Sequence, residues 1–140
     1  MLNKKRLVIA LSISALIMAL VPIPRQTVPG LTLRITTQAG VPVANARVRQ
    51  TWQNYSTESS GHEQDLSADA AGVIVLPERI LYTSILGSAI GPARSFLSQG
   101  VHASYGRSSF ILVYADGLSG WCEWKPGLPT TIEVHLEKRR

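Results

Sequence analysis

The feature that most constrains this chain is a two-residue beat of hydrophobicity that starts at Leu31 and returns near the C-terminus. Leu31, Leu33 and Ile35 alternate with Thr32, Arg34 and Thr36. Successive side chains of an extended strand point to opposite faces, so this pattern predicts a strand with one buried and one wet side. The beat recurs where Ala46, Val48, Gln50 and Trp52 alternate with Arg47, Arg49, Thr51 and Gln53. It recurs again where Ile132, Val134 and Leu136 alternate with Thr131, Glu133 and His135. Two further runs are apolar and short: Val73–Leu76, rich in β-branched residues, and 109–115, continuous enough to predict burial on both faces. Asp116-Gly117 is a hairpin signal, and Leu118–Trp124 is expected to return antiparallel from it. About six short strands between turns predict a mainly β fold, an antiparallel β-sandwich.

Three stretches depart from the beat. Residues 22–30 carry Pro22, Pro24, Pro29 and Gly30 and are expected to lack regular structure, residues 26–30 serving as a linker. Residues 54–70 are polar and almost without aliphatic side chains, which predicts a long exposed loop. Between about 80 and 99, Ile85, Leu86, Ala89, Ile90, Ala93, Phe96 and Leu97 recur at spacings of three and four, the period of an amphipathic helix. Gly91-Pro92 is expected to kink it or divide it in two. With Arg94 its only basic residue, it is expected to cap one end of the core and not to lie on a membrane.

The first 25 residues form a leader. Lys4, Lys5 and Arg6 precede an apolar run from Leu7 to Val21, followed by Pro22 and Pro24. A basic flank, a short apolar segment and helix breakers match a signal peptide or an N-terminal signal anchor, built on a hydrophobic helix. The small-residue cleavage pattern is poor around Ile17, Met18 and Ala19. If uncleaved, the leader contacts the membrane with the N-terminus cytoplasmic. Either way the remainder is expected to be exported, to a periplasmic or extracellular location.

Charge argues against nucleic acid. The chain carries +5, but Lys4, Lys5, Arg6 and Arg25 sit in the leader and Lys138, Arg139 and Arg140 in a basic tail. Between these ends the acids slightly outnumber the bases, and no basic run crosses the body. A nucleic-acid binder concentrates Lys and Arg on a folded face. Cys122 is the only cysteine, so no internal disulfide can form and stability must come from the core. Between Trp121 and Trp124 it reads as a small buried apolar residue.

Two segments carry a family pattern. Gly40-Val41-Pro42-Val43-Ala44-Asn45-Ala46-Arg47-Val48 is followed, after the polar stretch, by Asp69-Ala70-Ala71-Gly72-Val73-Ile74-Val75-Leu76-Pro77. Over about residues 30–77 this resembles the carboxypeptidase regulatory-like domain, with a transthyretin-like (prealbumin-like) β-sandwich. The resemblance implies such a domain over 31–137, with the helical segment as an insertion, and a non-catalytic module of exported proteins. Two enzymatic relatives of that sandwich fit poorly. The C-terminal Glu137-Lys138-Arg139-Arg140 is unlike the Tyr-Arg-Gly-Ser ending of hydroxyisourate hydrolases, and the three histidines lie too far apart for an intradiol dioxygenase.

No motif in the chain demands catalysis. His62 is followed by Leu66 where a zincin helix needs a second histidine. Glu58, Glu63, Asp65 and Asp69 lack EF-hand spacing and read as a solvated acidic loop. His102 and His135 have no neighbouring partner in sequence, and no Gly-x-Ser-x-Gly elbow occurs. No cofactor or metal is expected. Asn54-Tyr55-Ser56 fits a glycosylation sequon. Tyr55, His62, Glu63, Asp65 and Trp121 are the candidates for an interaction surface, formed by the polar loop or a sheet edge, while Trp52 has an inward phase. The expected function is that of an accessory or interaction module of the cell envelope, its partner an envelope protein or glycan. The alternatives are a small exported hydrolase or metal-dependent enzyme using His62, His102 and nearby acids, and a carrier enclosing an apolar cavity of about 300 Å³ or more.

Overall fold

The computed structural model describes residues 3–102 and 104–139, the side chains of Ser98, Gln99 and His102 excepted. Among the described residues the fold is mainly β. Helix α1 (Lys4–Leu20) leads into β1 (Pro22–Val28), β2 (Leu31–Thr37), β3 (Arg47–Asn54), β4 (His62–Ser67), β5 (Val73–Leu76) and β6 (Arg79–Ser84). Helix α2 (Ile85–Gln99) follows, then β7 (Arg107–Ala115), β8 (Leu118–Trp124) and β9 (Thr131–Lys138). Seven strands are ordered β4-β3-β7-β8-β9-β2-β5, and β1 pairs with β6 in a separate ribbon.

The buried cluster follows from the two-residue beat. Leu31, Leu33 and Ile35 of β2, Ile74 and Leu76 of β5, and Val134 and Leu136 of β9 join Val48 of β3, Ile111 and Val113 of β7, and Trp124 of β8. Each such aliphatic side chain taken out of water stabilises the fold by about 1.5–3 kcal/mol before entropy is counted. The two groups of strands meet through β9, which pairs with β8 only at Leu118–Lys138 and Ser119–Glu137. Beyond that point the strands diverge over Gly120. A Cβ there would lie 2.8 Å from the His135 carbonyl oxygen and 2.9 Å from Leu136 Cδ2, so only glycine admits the crossing.

Gly72 has a similar duty at the turn into β5. Its φ is 72°, and a Cβ would lie 2.7 Å from the Ile35 carbonyl oxygen. Asp69 Oδ1 closes the same turn by accepting from the Ala71 and Val73 backbone N–H groups at 2.9 and 2.8 Å.

Several expectations are corrected. The sheet is mixed, because β2 and β9 run parallel from Thr32–Thr131 to Thr37–Leu136. Residues 22–28 form a strand despite two prolines. Pro22 and Pro24 are two residues apart, so both fall in the phase whose N–H would face away from β6, where a missing donor costs nothing. Residues 62–67 of the expected loop are β4, an edge strand whose charged side chains discourage pairing with further chains. Residues 80–84, expected to begin the helical segment, belong instead to β6, and α2 then runs as one element with Pro92 inside it.

Helix α2 does not cap the core. Ser88, Gly91, Pro92 and Ser95, spaced three and four apart, form its half-buried side, while the apolar stripe faces outward. The side toward the protein is small because the backbone comes close. A Cβ on Gly91 would overlap the Ser56 carbonyl oxygen, and Ser95 Oγ donates to the Tyr55 carbonyl at 2.8 Å. Helix α1 buries none of its residues, and no described helix is long and apolar enough to cross a membrane. Its 17 residues rise about 25 Å, against a hydrocarbon core of about 30 Å.

Candidate functional site

The strand registers assemble one continuous face from four strands. Strand β3 pairs with β4 on one side and β7 on the other, and β7 pairs with β8, all antiparallel. Residues opposite each other share a side, so the outer face carries two central rows. One row runs Asp65, Arg49, Leu112, Trp121, and the next runs Glu63, Thr51, Phe110, Glu123.

On the β7–β8 side of this face two aromatic rings are open to solvent. Trp121 is 66% exposed and Phe110 37%, and their rings stack with centroids 5.6 Å apart at 30°. Contact between aromatic rings is worth about 0.5–1.5 kcal/mol beyond area, so each ring holds the other in place. The flank is charged. Arg49 donates from Nε and Nη2 to both Asp65 oxygens at 2.8 Å and lies 3.5 Å from Glu63. That forked contact with Arg49 holds the Asp65 carboxyl below the usual range, and Asp65 in turn holds the Arg49 proton more tightly. Glu123 pairs with Lys125 at 3.1 Å on the other flank. The face therefore offers a flat apolar patch between a fixed acid–arginine pair and a second ion pair.

Three of the five candidate residues, Glu63, Asp65 and Trp121, come together on this face. His62 belongs to the opposite side of β4, where it stacks on Trp52 at a centroid distance of 5.4 Å and contacts Glu58 Oε1 through Nε2 at 2.6 Å. Tyr55 lies past the end of β3, half-buried, its N–H donating to the Gly106 carbonyl at 2.8 Å. Phe110, Arg49 and Leu112 were not among the candidates. The run 109–115 reads as doubly buried, yet only Ser109, Ile111 and Val113 are fully enclosed, and Phe110 faces solvent. The Asp116-Gly117 turn carries the missing signal, because the hairpin it sets places Leu112 opposite Trp121.

Beneath the outer face lies a second polar arrangement. Gln50 and Ser109 are fully buried, and Gln50 Nε2 donates to Ser109 Oγ at 3.1 Å. Arg79 donates to Gln50 Oε1 from Nε and Nη2 at 3.1 and 2.6 Å, with its guanidinium carbon 3.9 Å above the Trp52 ring. Burial pulls the Arg79 pKa down from its ordinary value. Trp52 thus contacts both His62 and Arg79, partly buried as its inward phase predicted.

The groups named for the enzymatic alternative divide among separate partners. Glu58 holds His62 and the Asn54 backbone N–H, Glu63 and Asp65 hold Arg49, and Asp69 closes its turn. His135 Nδ1 lies 2.9 Å from Thr36 Oγ1, and the His102 side chain is outside the described residues. No three His, Cys, Asp or Glu side chains converge among the described residues. Trp124 is buried, whereas Cys122 is only partly buried against the core, which still pushes its thiol up to about 11. Compared with models of protein families and with curated proteins, the chain matches none.

Proposed function

We propose that the chain is an exported, non-catalytic β-sandwich module of the cell envelope, held at the membrane by its leader helix. It binds an envelope protein or glycan through the outer face of β4, β3, β7 and β8. The observation that carries this reading is the stacked, solvent-facing pair Phe110 and Trp121 between two ion pairs. A monomeric protein gains nothing in its own core from leaving an indole open to water, whereas a flat ring with polar groups at its rim suits both sugar rings and protein surfaces.

The transthyretin-like reading is supported locally. Ala46 and Val48 point into the core, Gly40 has the positive φ of 78°, and Asp69 with Gly72 forms the turn into β5. The seven strands would then be two sheets whose inner faces share one core, joined at the β8–β9 crossing.

The test is capture from native membranes. The tethered chain, crosslinked in place, is expected to retain a partner that Trp121→Ala and Phe110→Ala each lose while the fold remains intact by circular dichroism. A catalytic reading would instead be supported by turnover lost on His62→Ala or Glu58→Ala but kept in Trp121→Ala.

A further inference from the structure

The apolar stripe of α2 is on the wrong side for a core helix. Ile85, Ile90 and Phe96 are about half exposed, Leu97 is 84% exposed, and Leu86 adds to them, while the small residues face the protein. A helix with its apolar side outward and its small side packed is completed by a surface of its own kind.

The ribbon of β1 and β6 shows where that surface lies. Pro22, two residues past the end of α1, pairs with Ser84, the residue that caps α2. The two helices therefore leave the ribbon at the same end, one antiparallel rung or about 5 Å apart. They also contact each other. The exposed side of the ribbon continues the patch, with Ile80 and the 68% exposed Tyr82 facing the same way as Pro22 and Pro24. An aromatic residue with a polar tip suits the boundary between lipid and water.

We propose that α2 is a second membrane contact: with α1 lodged in lipid, the stripe Ile85, Leu86, Ile90, Phe96 and Leu97 lies in the interface of the same bilayer and seats the domain on it. This rests on the reading that α1 anchors the chain. Interfacial helices of free peptides need a basic polar face, but here that side is occupied by the loop at Tyr55 and Ser56. Binding therefore comes from apolar burial and requires no anionic lipid. The outer β face, on a separate part of the domain, stays open for a partner.

The experiment uses the full chain with Cys122→Ser, reconstituted in phosphatidylcholine vesicles and carrying an environment-sensitive fluorophore on Leu97→Cys, on Ile90→Cys, or on the control Val75→Cys of β5. The labels on α2 are expected to shift to shorter wavelength and to be quenched by doxyl lipid, and the control to do neither. If α2 labels stay aqueous while the chain resists alkaline extraction, the anchor stands and the proposal is overturned. If they shift without lipid quenching, a second copy or α1 covers the stripe, which also overturns it. Release of the chain by alkali would instead overturn the anchor reading itself.

Discussion

Arg79 lies over the ring of Trp52 and reaches past it to the buried carboxamide of Gln50, joining the β1–β6 ribbon to the inner side of β3. Gln50 Oε1 receives both of its hydrogen bonds from this one guanidinium. Arg79→Met is therefore expected to orphan a buried acceptor and to lose the contact with the indole. The cost should be about 1–3 kcal/mol for the acceptor, with about 0.5–2 for the cation–π contact. Adding Gln50→Leu should recover part of that loss. Urea unfolding of the single and double variants measures this, and strict additivity would show that the two side chains do not act together.

Gly72→Ala is expected to be severe, at about 2–4 kcal/mol, because it combines a left-handed backbone with a collision against the Ile35 carbonyl. Gly40→Ala has a similar φ of 78° but open space around it, and should cost only about 1–2 kcal/mol. A comparison of denaturation midpoints separates backbone strain from crowding. Equal losses would mean that the strand beside Gly72 shifts freely.

The Cys122 thiol, pushed up to about 11 from an ordinary 9.0 by burial, should be slow to alkylate. Two units of pKa reduce the thiolate about a hundredfold near neutral pH, so iodoacetamide should label the folded chain that much more slowly than the urea-unfolded one. The folded pKa is the higher one. The stabilising contribution is therefore whole below pH 9, and is lost as pH rises toward and through 11. Cys122→Ala should remove that alkaline slope.

Asp65 predicts the opposite limb. Its folded carboxyl is depressed by the hydrogen bonds from Arg49, so its contribution is present above the ordinary carboxyl range and disappears as pH falls through the depressed value. Asp65→Asn should flatten that part of the acid unfolding curve. Both groups are at the surface, so added salt should shrink the difference, and a salt-insensitive effect would contradict the pairing seen here.

Much of the fold was legible in alternation, and the reason is local. A strand half in water must place every second side chain inside, and Leu31, Leu33, Ile35, Val48, Val134 and Leu136 do so. Elsewhere a distant pairing supplies what the local sequence lacks. The prolines of β1 look like breakers until β6 lies along one side, and the polar run of β4 looks like a loop until β3 gives it a register. The candidate site was half visible. Glu63, Asp65 and Trp121 stand out in the sequence, but Phe110 is hidden in an apolar run whose outer half only its neighbours on β3 and β8 define.

What the chain determined by itself is therefore which side of each strand is greasy, where Gly72 and Asp69 must turn, and that α2 carries an apolar stripe. What tertiary structure alone decided is where those sides point. Periodicity is a property of neighbours along the backbone, but direction depends on which surface a second element occupies first. On α2 the close approach of Gly91 to Ser56 claims the small side for the protein and turns the apolar side outward.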